Sequence, residues 1–275
     1  MDQLTRTTQS DKMAEDDSKD DAPSGVFVTK GMQLSISEFF LSMNPDGTIE
    51  AGPMEISVGL DMCPHWREIS LDHLIAAKQA HDAVMAAHAE GPDEQKAEPM
   101  HMEFRAGMQS IVACCTALDA LYGNLKDRVE IPEELVKTWR EQRTARHKQI
   151  AEVTRRAFKL DNKFVGALKP FLKDASRFRD MAVHPKGGTH RPILHPDLNI
   201  ITEWRFAAFR YKNAYNLLES CLTVQEALNQ TDGEQLKKSI ATYNAQLRDR
   251  LLSVRSRWQA HFGALREPHE PGPPA

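Results

Sequence analysis

The chain has 275 residues, of which 41% are apolar and 27% charged, an ordinary balance for a globular protein of one large domain or two small ones. No apolar run reaches the roughly 18 residues of a membrane span, and no basic region followed by an apolar stretch reads as a signal peptide. The formal charge of −4 conceals an uneven distribution: residues 1–22 hold seven acids and three bases, while residues 137–191 hold fifteen Lys and Arg against five Asp and Glu.

That basic segment fits a polyanionic partner, or else solvated helix faces whose acidic partners lie elsewhere in the fold. Cys63, Cys114, Cys115 and Cys221 lack metal-ligand spacing, and three of them sit in apolar helical patterns. They predict buried, reduced thiols in a cytoplasmic protein.

Residues 1–24 are acidic and poor in aromatics, which predicts a disordered tail. Residues 25–65 read as a small β appendage. Leu34 and Ile36 alternate with Gln33 and Ser35, Ile56 and Val58 alternate with Ser57 and Gly59, and Asn44-Pro45-Asp46-Gly47 makes a turn between them. An isolated hairpin is marginal, so it is expected to pack on the helical body or on a second subunit.

Residues 66–230 predict a helical bundle. Ser70 caps a first helix to about Ala89, broken by Gly91-Pro92. A second helix, about Met100 to Lys126, is apolar over most of its girth and is expected at the centre. Ile131-Pro132-Glu133-Glu134 opens a third, with Val136, Trp139, Ile150, Val153 and Ala157 in a three–four repeat. Arg143 and Arg146 fall in the middle of that stripe. They either snorkel to the bundle edge or face a cleft or interface that holds phosphate.

A fourth helix begins between Asn162 and Pro170 and ends at His184. A loop over 185–202 carries His190 and His195, and a fifth helix covers about Glu203 to Asn229. Residues 231–266 predict one long, nearly straight amphipathic helix, opened by a capping box at Thr231, Asp232, Glu234 and Gln235. It lies on the bundle or pairs with another subunit. Residues 267–275 read as a disordered Pro-rich tail.

The end of the fourth helix gathers chemistry. In Arg177-Phe178-Arg179-Asp180-Met181-Ala182-Val183-His184-Pro185, Asp180 and His184 are four apart and share a face. Similar Arg-to-His spacings recur at Arg140/His147, Arg177/His184 and Arg255/His261. The Arg179/His184 pair is singled out by the polar residue after its Arg and the helix end after its His. One reading is a surface network that finishes the helix. The other is a site in which Arg179 holds phosphate with paired donors and His184 transfers a proton.

Arg179-Asp180, three residues and then His184, near the end of a bundle helix, resembles the HEPN superfamily over roughly residues 66–230. Asp stands after the Arg, where Asn or His is also common in that family. The resemblance implies a mainly α, HEPN-like bundle, here with the β appendage and the long C-terminal helix outside the core pattern. It implies a metal-independent RNA endonuclease, toxin-like or defence-like, with no cofactor, acting as a homodimer whose two motifs meet at a composite site. Attack of the 2′-hydroxyl on its own phosphate would leave a 2′,3′-cyclic phosphate. Arg179 and His184 would be catalytic and Asp180 would orient the imidazole, with Arg143, Arg146, Arg177 and Lys186 contacting RNA phosphates. An antitoxin or regulatory protein is a possible further partner. The alternative is an inactive HEPN-like module that binds RNA or a partner protein.

Overall fold

The computed structural model describes residues 26–29, 31–36, 38, 40–52, 55–90, 96–184 and 187–266. The tails expected at 1–24 and 267–275, and Pro185 with the candidate Lys186, lie outside the described residues.

The protein is mainly helical. At its N-terminal side, β1 (Met32–Ile36) pairs antiparallel with β4 (Ile56–Leu60), and β2 (Leu41–Met43) pairs with β3 (Ile49–Ala51) further out. The expected turn closes this arm. Asp46 Oδ1 accepts from the Thr48 amide at 2.9 Å and from its hydroxyl at 2.6 Å, and Gly47 takes a φ of 85° that favours glycine. The helical body does not cover the arm's apolar side chains, and Phe40 and Met43 are 76% and 75% exposed.

β4 runs directly into α1 (Met62–Glu90). The first helix therefore begins eight residues before Ser70. Asp61 starts it, its Oδ1 accepting from the Cys63 amide at 3.0 Å. Ser70 is instead buried in mid-helix. Its hydroxyl donates to the Ser110 carbonyl at 2.9 Å, and the Ser110 hydroxyl donates back to the Ser70 carbonyl at 2.9 Å. This reciprocal pair ties α1 to α2 (Ala97–Lys126).

The expected third helix is two: α3 (Glu133–Glu141) and α4 (Arg146–Phe158). The chain turns between them, and Arg143 takes a φ of 47° in that turn. Both arginines are exposed: Arg143 lies in the turn, off any core-facing row, while Arg146 opens α4 one turn before buried Ile150, with its guanidinium over the Tyr122 ring. Next, α5 (Asn162–Val183) is capped by Asp161, whose Oδ1 accepts from the Phe164 amide at 2.7 Å. Val165, Leu168, Leu172 and Ala175 form its buried stripe.

A short hairpin, β5 (Ile193–Leu194) with β6 (Ile201–Thr202), precedes α6 (Trp204–Ala208) and α7 (Tyr211–Asn229). The expected fifth helix is thus also two. At the break, the Phe209 carbonyl passes so close to Gly107 of α2 that a Cβ there would lie 2.0 Å from its oxygen.

A 3₁₀ turn (Gly233–Gln235) leads to α8 (Lys238–Arg250) and α9 (Leu252–Phe262), separated at Leu251. Residues 231–266 therefore hold two helices, interrupted at one residue, rather than one. They belong to the body: Ile240, Tyr243, Leu247, Leu251, Val254 and Trp258 are buried. The Trp258 ring lies 5.1 Å from that of Tyr215 on α7. At the centre, α2 touches α1, α4, α5, α6 and α7, as its apolar girth predicts.

Candidate functional site

The last turns of α5 place one stripe of side chains on a common face. Lys173, Arg177, Asp180 and His184 stand four, three and four residues apart. Across from them the start of α4 brings His147, and the chain after α5 brings His190 and Trp204. Together these residues line a cleft of about 740 Å³. His184 is the C-cap of α5, with its amide bonded to the Asp180 carbonyl at 3.0 Å. Its imidazole is exposed and makes no hydrogen bond to any described residue.

Arg179 points differently from its sequence neighbours in the stripe. Nη1 donates to Asp119 Oδ2 of α2 at 2.9 Å, while Nε and Nη2 donate to Asp180 Oδ1 at 3.2 and 3.0 Å. Burial opposes the guanidinium charge, but the hydrogen bond to Asp180 and the charge of Asp119 outweigh it and raise its pKa. Asp180 is expected to orient the imidazole. Its carboxylate instead serves Arg179, because the neighbouring fork reaches it directly.

Arg146 joins the same network from the other side. Its Nε lies 3.7 Å from Asp119 Oδ1, and its guanidinium sits 4.6 Å from the centre of the Tyr122 ring. The Tyr122 hydroxyl donates to Gln149 Oε1 at 3.1 Å, and Arg146 Nη1 lies 3.4 Å from the same oxygen. Of the expected phosphate-binding residues, Arg177 lines the cleft and Arg146 borders the Asp119 network. Arg143 is in the exposed turn outside both.

His147, Lys173, Trp204 and Asp119 enter as functional candidates only with the structure. Lys173 was readable in principle, since it continues the Arg177 and His184 stripe at helical spacing. The others are brought in by tertiary packing. The His147 pKa is lowered, chiefly by burial and then by Lys148 and Lys173, against a smaller opposite pull from Asp180. His190 meets the Trp204 ring edge-on at 6.1 Å, and the Arg205 guanidinium lies 4.8 Å from the centre of that ring.

The cleft can therefore hold an anion between Lys173 and Arg177, flank a planar group with Trp204, and present imidazoles for proton transfer. Among the described residues, no group of three or more His, Cys, Asp or Glu is arranged to hold a metal ion. No described helix is long and apolar enough to cross a membrane. Comparison with protein-family models gave no match, and neither a curated protein nor a solved structure matched the chain.

Proposed function

We propose that the protein is an RNA endonuclease of HEPN type, cutting in this cleft by attack of the 2′-hydroxyl on the adjacent phosphate. The observation that carries the reading is the meeting of His184 with His147, Lys173, Arg177 and Trp204 in one cleft. Transesterification needs a base for the 2′-hydroxyl, an acid for the leaving 5′-oxygen and cations for the charge that builds on phosphorus. His147, its pKa lowered by burial and two lysines, suits the base. His184 suits the acid, and Lys173 and Arg177 the phosphate. Two imidazoles in one cleft supply both proton transfers within a single chain, so the composite site that the resemblance implies is not needed for the chemistry. A homodimer, the toxin-like or defence role, and an antitoxin or regulatory partner belong to this reading through the family resemblance. A cytoplasmic setting suits the four free, buried cysteines.

A second reading has its own observation. Arg179, the residue that the resemblance makes catalytic, is held by two carboxylates. That favours a HEPN-like module that binds RNA through the cleft without cutting it.

The test is cleavage of a mixed single-stranded RNA pool by purified protein in excess chelator. Wild type should leave 2′,3′-cyclic phosphate ends. His184→Ala and His147→Ala should each slow cleavage by roughly 100- to 10,000-fold while retaining RNA binding. Binding that weakens steeply with salt but yields no products would select the second reading.

A further inference from the structure

His190 and Trp204, which line one side of the cleft, are joined by the β5–β6 hairpin. That hairpin is a ribbon of two residue pairs, Ile193 with Thr202 and Leu194 with Ile201. Such a ribbon is marginal by itself, and Ile193, Leu194 and Ile201 are 40%, 58% and 73% exposed. Its anchors lie in the turn between the strands. There His195 and Leu198 are 3% and 2% exposed. Asp197, in the same turn, forms ion pairs with Arg210 at 3.1 Å and Lys212 at 2.6 Å, where α7 begins.

His195 fits this place as a neutral imidazole. Its Nδ1 accepts from the Asp197 amide at 3.2 Å, so that nitrogen must carry a lone pair and the proton belongs on Nε2. The ring also hydrogen-bonds the Phe206 backbone of α6. The backbone closes the same turn, with the His195 amide donating to the Ile200 carbonyl at 2.7 Å. A second proton would set a ring N–H against the Asp197 N–H.

The imidazolium would also meet carboxylates that are already engaged. Asp197 is held by Arg210 and Lys212. Glu103 of α2 bonds His81 Nδ1 of α1 at 3.0 Å and accepts from the Tyr211 amide at 2.8 Å. Arg210 faces the ring as a like charge. Burial, with Arg210 adding to it, outweighs the pull of Asp197 and Glu103 and holds the His195 pKa below its ordinary 6.5.

We propose that His195 is a pH-operated latch on the cleft wall: neutral, it docks the segment between His190 and Trp204, and protonated, it releases that segment and draws His190 away from the Trp204 ring. A released His195 ionises near the ordinary 6.5, whereas the docked ring resists protonation. Docking therefore keeps its full strength above that pH. Below it, the docking equilibrium weakens by up to about tenfold per pH unit, until the docked ring itself takes a proton. The latch acts on the cleft but does not rest on the RNA reading, because docking is measured without RNA.

The test is hydrogen exchange of the full chain, read by mass spectrometry on peptides from residues 189–203 and from α2. It is run at about pH 7 and about pH 5.5, with the intrinsic effect of pH on exchange divided out. Between these values wild-type protection of the 189–203 segment should fall several-fold, to a limit of about tenfold, while α2 stays protected. His195→Asn keeps an acceptor for the amide two residues on and takes no proton in this range, so its segment should stay protected at both. His195→Ala removes the latch, and its segment should be poorly protected at both. Wild-type protection that does not change with pH, the same fall in either variant, or a parallel loss across α2 would overturn the proposal.

Discussion

Asp119 stands between two arginines, accepting from Arg179 at 2.9 Å and facing Arg146 at 3.7 Å. The Arg179 and Asp119 side chains are each about one-third exposed, so each ion pair contributes about 1 kcal/mol or less to stability. The pair matters more for what it withholds, because a guanidinium occupied by two carboxylates has few donors left for phosphate. Asp119→Asn should leave the fold intact and release part of that fork. RNA affinity, read by fluorescence anisotropy at fixed salt, should tighten by roughly 3- to 10-fold, or about 1 kcal/mol. Adding Arg179→Ala should erase the gain. Unchanged or weaker binding would remove Arg179 from the phosphate contacts. At this scale the sequence shows Arg179, Asp180 and His184 together because they lie on one helix. Asp119 is 60 residues from Arg179, and no local pattern announces that contact.

Helices were legible as apolar periodicity, and their ends were less so. The repeat from Val136 through Trp139 to Ile150 continues across a turn at Arg143: Trp139 of α3 and Ile150 of α4 both pack on the core. The sequence stripe therefore survives a break in the backbone. The start of α1 is set by Asp61 with Pro64 in the first turn, and Ser70, a cap type by sequence, is a buried tie to Ser110. The break between α6 and α7 is explained by Gly107, where α2 admits the Phe209 carbonyl. Gly107→Ala would gain about 1 kcal/mol of helix propensity, yet it forces a methyl group against backbone that no side-chain rotation can relieve. We expect a net loss of about 2 kcal/mol or more, seen as a lower urea midpoint, and a displaced Trp204 with weaker RNA binding. Gly123→Ala is the control on the same helix. Nothing lies within 4 Å of a Cβ there, so it should be neutral or stabilise by up to about 1 kcal/mol. Equal midpoints for the two variants would reject the close approach.

The whole molecule encloses titratable groups that hold protons tightly. Burial pushes the Cys63 thiol up to about 11, Cys115 to about 12, and the Tyr211 and Tyr215 phenols to about 12. These shifts follow from burial at the packed faces of α1, α2 and α7, which carry Cys63, Cys115 and the two tyrosines. Cys221 runs the other way. A hydrogen bond from Cys114 and the charge of Arg67 lower it to about 7 against burial, while Cys114 is raised. The two shifts run in opposite directions, so their effects on stability oppose each other. Arg67, 1% exposed, donates to Gln225 Oε1 at 3.2 Å. The sign for the raised groups is fixed by linkage. A thiol that ionises near 9 in the unfolded chain and only at 11 or 12 in the fold contributes full stability below pH 9. That stability is lost as pH rises through the folded value. Unfolding by urea should therefore need markedly less denaturant at about pH 10.5 than at pH 8, with a loss of about 2 kcal/mol per raised thiol. Cys63→Ala should flatten the decline, because the alanine releases no proton on unfolding. A midpoint that holds constant over this range would mean that water reaches these thiols, and that α1 and α2 pack less tightly than the Ser70–Ser110 tie requires.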